Sequence, residues 1–341
     1  MEKDNWILLD SAPQPEWNFA ELLEKETDRK WKIRHIDSHF SDPGWKKKLK
    51  FFLFPMQLLL QRERVEVILS FQQFYGLLYG WYCRLLHLKK KNRLIVATFI
   101  YRPRTGIKGK FYYQFMKCMV NSGYIDKIIC FSKTEPEYYQ KLFHTEKNLF
   151  CYVPFAAADE SKKVKTGVEN QKSYILSVGK SNRDYDFLTE ALQNTQYEVR
   201  ILSDTWTEKE KHQNIRVYAD VFGEKYLQML VECWCVIVPL ADIHISAGQF
   251  VFLQSMMFGK PVIVTESDTV HEYIENEKNG LIIPKEKQAL LKALKRLEED
   301  PALYQKLGKN GKIVYREKFS LQHMAEVIGK ICCEDSKGGC K

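Results

Sequence analysis

No stretch of this 341-residue chain approaches the roughly 18 consecutive apolar residues that a membrane span requires. The apolar run at 51–56 is six residues long. Residues 1–10 contain acids and lack the apolar core of a secretion signal, so the sequence predicts a cytoplasmic protein. Acids are nearly missing from one segment. Between positions 45 and 117, sixteen Lys and Arg stand against two acids, Glu63 and Glu66. That segment is therefore +14 and the remainder −5, so the net +9 conceals a field of one sign on one region. Such a field argues for a polyanionic partner. The nine cysteines lack the spacing of a metal knuckle: Cys233 and Cys235 are separated by one residue, and Cys332 and Cys333 are adjacent. Cys130, Cys151, Cys233 and Cys235 sit in apolar runs and are read as reduced, buried thiols. Cys332, Cys333 and Cys340 are read as part of a frayed tail.

Short apolar segments alternate with helix-length segments. Strands are expected at 6–9, 31–36, 65–70, 93–99, 127–131 and 149–153, then at 174–178, 198–202, 215–218, 236–239, 262–265 and 281–283. They have the short, apolar character of strands buried on both faces of a parallel sheet. Helices are expected at 19–25, 71–88 and 111–120, then at 184–193, 225–232, 250–258, 270–276 and 288–298. Ser132 and Glu135 have capping-box spacing ahead of one more helix. The polar, lysine-rich stretch 158–172 reads as a linker. The fold class predicted is α/β, with two Rossmann-like, doubly wound domains facing a central cleft. The first covers 1–157, completed by a C-terminal helix at 320–333, and the second covers 173–319.

Three segments of the second half carry chemistry. In Ser177-Val178-Gly179-Lys180-Ser181-Asn182-Arg183-Asp184-Tyr185 a strand end passes through a glycine turn and two cations into a helix start. Cations beside helix-terminal amides suit a diphosphate, because they meet both its charge and its acceptor oxygens; a plain solvated turn would have the same composition. Val238-Pro239-Leu240 is followed by Ile245-Ser246-Ala247-Gly248-Gln249-Phe250, a strand leading through small residues into a helix. Gly248 lets the backbone approach a ligand closely, and free amides near Gln249 would face it. Ser246 serves either that ligand or the helix cap. His244, just before the loop, either faces the same ligand or is solvated. The third segment, Leu253-Gln254-Ser255-Met256-Met257-Phe258-Gly259-Lys260-Pro261-Val262-Ile263-Val264-Thr265, ends a helix at Gly259 and starts a buried strand. Asn279-Gly280-Leu281-Ile282-Ile283-Pro284 follows.

In order and spacing these segments, over about 174–284, resemble the C-terminal domain of the group 1, family-four glycosyltransferases. That family carries Glu-Ala-Met-Ala-x-Gly-x-Pro-Val-Ile, a first glutamate seven intervening residues earlier, and a closing Gly-Leu-Ile-x-Pro. The N-terminal half shares the layout and an Ile-Cys-Phe-Ser-Lys-Thr-Glu strand-to-helix junction. The resemblance implies a GT-B glycosyltransferase that moves a sugar from a nucleotide-sugar donor, UDP-sugar favoured over GDP-sugar. The acceptor implied is a glycan or lipid-linked saccharide of bacterial surface polysaccharide synthesis, with configuration retained and neither cofactor nor metal required. Donor-binding residues implied are Gly179, Lys180, Arg183, Ser246, Ala247, Gly248, Gln249, Phe250 and Gln254, with Lys180, Arg183, Ser246 and His244 nearest the chemistry.

The family's two glutamates fall at Ser246 and Gln254, so neither carboxylate is present. Gln254 still offers hydrogen bonds to a ribose diol, whereas Ser246 is too short to copy a glutamate's reach. These losses leave a second reading open: a catalytically weak partner subunit that binds a sugar nucleotide within an assembly complex. A histidine that the family often carries after the fourth strand is also missing from Thr98-Phe99-Ile100-Tyr101-Arg102-Pro103-Arg104. The basic segment, with Lys46, Lys47, Lys48, Lys50, Arg102 and Arg104 interleaved among large apolar groups, is read as the acceptor or membrane surface. It would lie peripherally on the inner face of the cell membrane, against anionic lipid. No nucleic-acid module is recognised, and no nucleic acid is expected as a partner.

Overall fold

The computed structural model describes residues 3–36, 44–101, 103–164, 174–208, 210–245 and 247–334, without the side chains of 44–48. The chain divides into two compact units, Met1–Pro154 with Met324–Lys341, and Phe155–His323.

The N-terminal unit runs β1 (Asp4–Leu8), α1 (Phe19–Thr27), β2 (Trp31–Arg34), α2 (Gly44–Leu59), β3 (Val65–Ser70), α3 (Gln73–Leu85), β4 (Arg93–Val96), α4 (Gly106–Val120), β5 (Lys127–Cys130), α5 (Glu135–Phe143) and β6 (Phe150–Tyr152). Its sheet has the order β2-β1-β3-β4-β5-β6, and every pairing is parallel. Central strands are apolar without alternation because both faces are covered, as in Val67 to Leu69 and Leu94 to Val96, all nearly inaccessible. At the entry to α5 the Glu135 carboxylate accepts from Ser132 N at 3.2 Å, and Ser132 Oγ accepts from Thr134 N at 3.3 Å.

The C-terminal unit runs β7 (Ile175–Val178), α6 (Tyr185–Leu192), β8 (Val199–Leu202), β9 (Ile215–Tyr218), α7 (Gly223–Glu232), β10 (Cys235–Val238), α8 (Gln249–Met257), β11 (Val262–Thr265), β12 (Leu281–Ile283), α9 (Lys287–Glu299) and α10 (Pro301–Lys318). Its parallel sheet has the order β12-β11-β10-β7-β8-β9, the doubly wound arrangement in which strand order reverses between β10 and β7. The last helix, α11 (Leu321–Cys333), belongs from Met324 onward to the N-terminal unit. There Gly329 lies so close to α1 that a Cβ would stand 3.1 Å from Glu26 and 3.4 Å from Thr27.

Several expectations need correcting. Residues 270–276 are not a helix. A single 3-10 turn at Val270–Glu272 is followed by a reversal in which Glu277 takes φ 62° and Asn279 Nδ2 donates to Tyr273 O at 3.0 Å. A side-chain amide that satisfies local carbonyls competes with helix formation. Cys332 is buried inside α11 instead of fraying, and the tail beyond 334 lies outside the described residues. Part of the expected linker is ordered: Glu160 N donates to Met257 Sδ at 3.4 Å, and Ser161–Lys163 form a 3-10 turn. Residues 165–172 lie outside the described residues. α2 and α10 are additional helices.

Candidate functional site

Open α/β sheets bind ligands beyond the carboxyl ends of their strands, where strand order reverses. In the C-terminal sheet the loops leaving β7 and β10, 179–184 and 239–248, flank that point. The structure knits them together. Asp184 N donates to Pro239 O at 2.8 Å, and Arg183 pairs with Leu240 in an antiparallel bridge. Asn182, left-handed at φ 57°, acts as a staple. Its Nδ2 donates to the carbonyls of Asp242 and Ile245 at 2.8 and 3.1 Å, and its Oδ1 accepts from Asp242 N at 2.8 Å. Lys285, just past β12, donates to Asp184 Oδ2 at 3.1 Å and to Ala241 O at 2.8 Å. Neither Asn182 nor Lys285 was marked from sequence. For Asn182 the signal was available, since Asn is the ordinary non-glycine occupant of a left-handed turn.

Arg183 is half-buried in this knot. Its Nε donates to Val178 O at 2.9 Å and its Nη1 to Ser181 O at 2.8 Å. The guanidinium lies across Gly179, where φ is +123° and a Cβ would stand 2.8 Å from Nη2. Only glycine combines that backbone angle with that clearance. Burial lowers the Arg183 pKa from its ordinary value, and among the described residues no carboxylate pairs with it. A cation partly withdrawn from water, with carbonyl partners but no counter-charge, favours an anion beside it.

Lys180 is exposed. Its ammonium pairs with Asp204, just past β8, and lies 5.9 Å from the ring centre of Phe222. The hydrogen bond from Lys180 holds the Asp204 carboxyl below its usual range. α8 begins behind Gly248, whose φ is +95° and whose Cβ would stand 2.7 Å from Phe252 Cζ. The glycine contributes no side-chain oxygen, and α8 presents its first amides at the strand end. Ala247 is buried, Gln249 half-buried and Phe250 exposed, while Ser246 lies outside the described residues. His244 is exposed with Nδ1 2.7 Å from Asp268 Oδ2, a hydrogen bond that raises its pKa.

Gln254 is 1% exposed, and both ends of its amide are occupied. Tyr226 OH donates to Oε1 at 2.8 Å, and Nε2 donates to Glu160 Oε2 at 2.8 Å. Glu160 Oε1 in turn accepts from Lys163 Nζ at 2.9 Å. A carboxylate absent at position 254 therefore stands beside it, supplied from 94 residues away along the chain. No spacing in the sequence links those two positions. Tyr226 feels both Glu160 and Arg183 electrostatically, which brings this network near the Arg183 guanidinium. The chain also contains an Asp-x-Asp, Asp184-Tyr185-Asp186. Asp184 caps α6 by accepting from Phe187 N at 2.9 Å, and Asp186 accepts from Trp206 Nε1 at 2.9 Å.

Of the basic residues marked in the N-terminal half, Arg104 lies 4.2 Å over the Tyr112 ring, and Lys50 is half-buried on α2. The side chains of Lys46, Lys47 and Lys48, and the whole of Arg102, lie outside the described residues.

The family described as glycosyl transferases, group 1, matches residues 159–314. D-rhamnosyltransferase WbpZ of Pseudomonas aeruginosa is 27% identical over 143 residues, 39% of this chain. The match spans only 37% of that relative's length. Sucrose-phosphate synthase from Thermosynechococcus elongatus superposes with a TM-score of 0.66 at 14% identity, over 97% of this chain and 98% of its own. HepE of Anabaena, in complex with UDP and glucose, gives 0.63 at 12% identity, over 97% and 99%. At such identities the likeness is one of fold. The chain has the GT-B fold of two doubly wound units, and residues 159–314 of its C-terminal unit match the group 1 glycosyl transferase family.

Proposed function

We propose that the chain is an active glycosyltransferase using a nucleotide-sugar donor, with UDP-sugar favoured. The observation that carries this reading is Arg183, a half-buried cation without a carboxylate partner among the described residues, in the β7 loop that is bridged to the β10 loop leading into α8. The barrier to sugar transfer is departure of the nucleoside diphosphate from the anomeric carbon. Arg183, Lys180 released from Asp204, and the first α8 amides would stabilise the charge that develops on it. Losing one such contact costs on the order of 10²-fold in rate. With neutralisation assigned to these groups, the reaction needs no metal. The group 1 resemblance supports retention of configuration, and HepE's complex with UDP and glucose supports uridine as the base.

The acceptor proposed is a saccharide linked to lipid. Its support is α2, whose Leu49, Phe52, Leu53 and Met56 form one exposed apolar stripe at helical spacing in the +14 segment, with Leu60 exposed just past the helix end. Among the described residues no helix is long and apolar enough to cross a membrane, so attachment would be peripheral, on the cytoplasmic face. The occupied Gln254 amide favours a second reading, a catalytically weak subunit that binds a sugar nucleotide in a complex.

The test is calorimetric titration with UDP and GDP, followed by UDP-sugar turnover in excess chelator. UDP binding with chelator-resistant UDP release supports the enzyme. Binding without turnover on any sugar supports the second reading, and absence of nucleotide binding removes both. Flotation with anionic vesicles, lost at high salt and absent with neutral lipid, tests the surface.

A further inference from the structure

One exposed aromatic ring stands at the carboxyl end of the C-terminal sheet. Phe222 follows β9 and is 62% exposed. Its neighbour Val221 is buried in the core with Leu202, Met229 and Leu230, so the loop is pinned at Val221 while Phe222 projects from it. Phe222 is also the N-cap of α7, extended at φ −137° and ψ 170°, and its side chain makes no cap hydrogen bond. That position is ordinarily held by Ser, Thr, Asp or Asn, whose side-chain oxygen accepts from the first helix amides. A phenylalanine there gives up the cap and leaves its ring in water. Single exposed apolar residues are ordinary, but a local rule broken without a gain in packing is a mark of functional sites.

The surroundings of the ring supply the chemistry. The Lys180 ammonium lies 5.9 Å from the ring centre, within range of cation–π attraction, and pairs with Asp204 as well. Lys180, Asp204 and Phe222 follow β7, β8 and β9, which are neighbours in the sheet. Cation, carboxylate and ring therefore stand together beyond three successive strand ends. One turn into α7, Tyr226 donates to Gln254 and feels the charge of Arg183. Four residues separate Phe222 from Tyr226, the spacing that brings side chains to one side of a helix. Beside the ring, a Cβ on Gly223 would meet nothing within 4 Å, so the approach is open there. A flat apolar face next to a cation suits a ligand that carries a flat π-system and an anion on one molecule.

We propose that Phe222 is the platform on which the base of the nucleotide donor stacks, with Lys180, drawn off Asp204, on the diphosphate of the same ligand. The inference rests on the donor reading and deepens it by naming the residue that holds the base. Stacking tolerates any base, so Phe222 supplies affinity and leaves the choice of base to other groups.

The probes are UDP and inorganic pyrophosphate, titrated calorimetrically into the full chain and into Phe222→Ser, Phe222→Leu and Phe222→Trp. Serine is favoured at an N-cap, so Phe222→Ser should melt no lower than the parent, and a loss of binding in it is not a loss of fold. Phe222→Ser and Phe222→Leu should each weaken UDP about tenfold, as removal of a stacked ring does, and leave pyrophosphate binding as it is in the parent. Phe222→Trp keeps a flat ring and should recover most of the UDP affinity that Phe222→Leu loses. UDP bound by Phe222→Leu as tightly as by the parent, or UDP and pyrophosphate weakened alike, would overturn the proposal and leave the donor reading in place. A parent chain that binds no UDP would remove both.

Discussion

Gln254→Glu restores the residue type that the resembling family carries, and it should damage this protein. The new carboxylate would replace an amide nitrogen that sits 2.8 Å from Glu160 Oε2. At an effective dielectric near 20, two like charges at that separation repel by about 6 kcal/mol. Proton uptake limits the damage, because holding one carboxyl protonated at neutral pH instead of near its usual pKa costs about 3–4 kcal/mol. The shared proton is bound by the folded state above the unfolded pKa, so the variant's stability falls as pH rises through the acidic range and levels off near the raised folded value. For a unit of this size the expected loss at about pH 8 is roughly 6–15 °C in Tm, shrinking toward zero near about pH 4.5. Circular-dichroism melts across that range measure it. The double variant Glu160→Gln with Gln254→Glu re-forms an amide–carboxylate pair with the partners exchanged, and should recover most of the loss. A Gln254→Glu protein that melts within about 2 °C of the parent at about pH 8, or whose deficit ignores pH, would refute the coupling.

Arg183→Ala should weaken UDP binding tenfold or more by calorimetry, as loss of a charge-assisted contact does. Asp204→Asn frees the Lys180 ammonium from its partner and should tighten UDP several-fold in the same assay. Gly248→Ala forces a Cβ to 2.7 Å from Phe252 Cζ at a positive φ, and should destabilise the unit by about 1–3 kcal/mol in urea melts. For His244, whose pairing with Asp268 raises its pKa, the interaction is complete below the unfolded value and fades as pH rises through the folded one; Asp268→Asn should lower the NMR titration midpoint.

The second half was legible because its chemistry is local. The segment 177–185 and the strands at 215–218, 262–265 and 281–283 are runs whose composition alone marks strand, turn or cap, and each strand has the expected bounds. What was not legible depends on distant partners. Glu160 and Tyr226 matter only because folding places them on Gln254, and the sequence could not show that the amide there is already occupied. α2 escaped notice because apolar residues line both of its sides and Pro55 interrupts it, which erases the single-face period that marks a helix. α10 had a visible start signal in Asp300-Pro301, where Asp300 Oδ1 accepts from Leu303 N at 2.9 Å.

The return of α11 to the first unit has a consequence for synthesis. Residues 1–154 leave the ribosome well before their closing helix, which begins to contribute only at Met324. At bacterial-to-eukaryotic elongation rates the intervening chain takes on the order of ten seconds to half a minute to make. Through that interval the side of α1 at Leu23 and Thr27 lacks its cover, since Gly329 and its neighbours do not yet exist. The first unit made is thus the last one finished, and its uncovered flank is where a chaperone, or a wrong partner, has time to act.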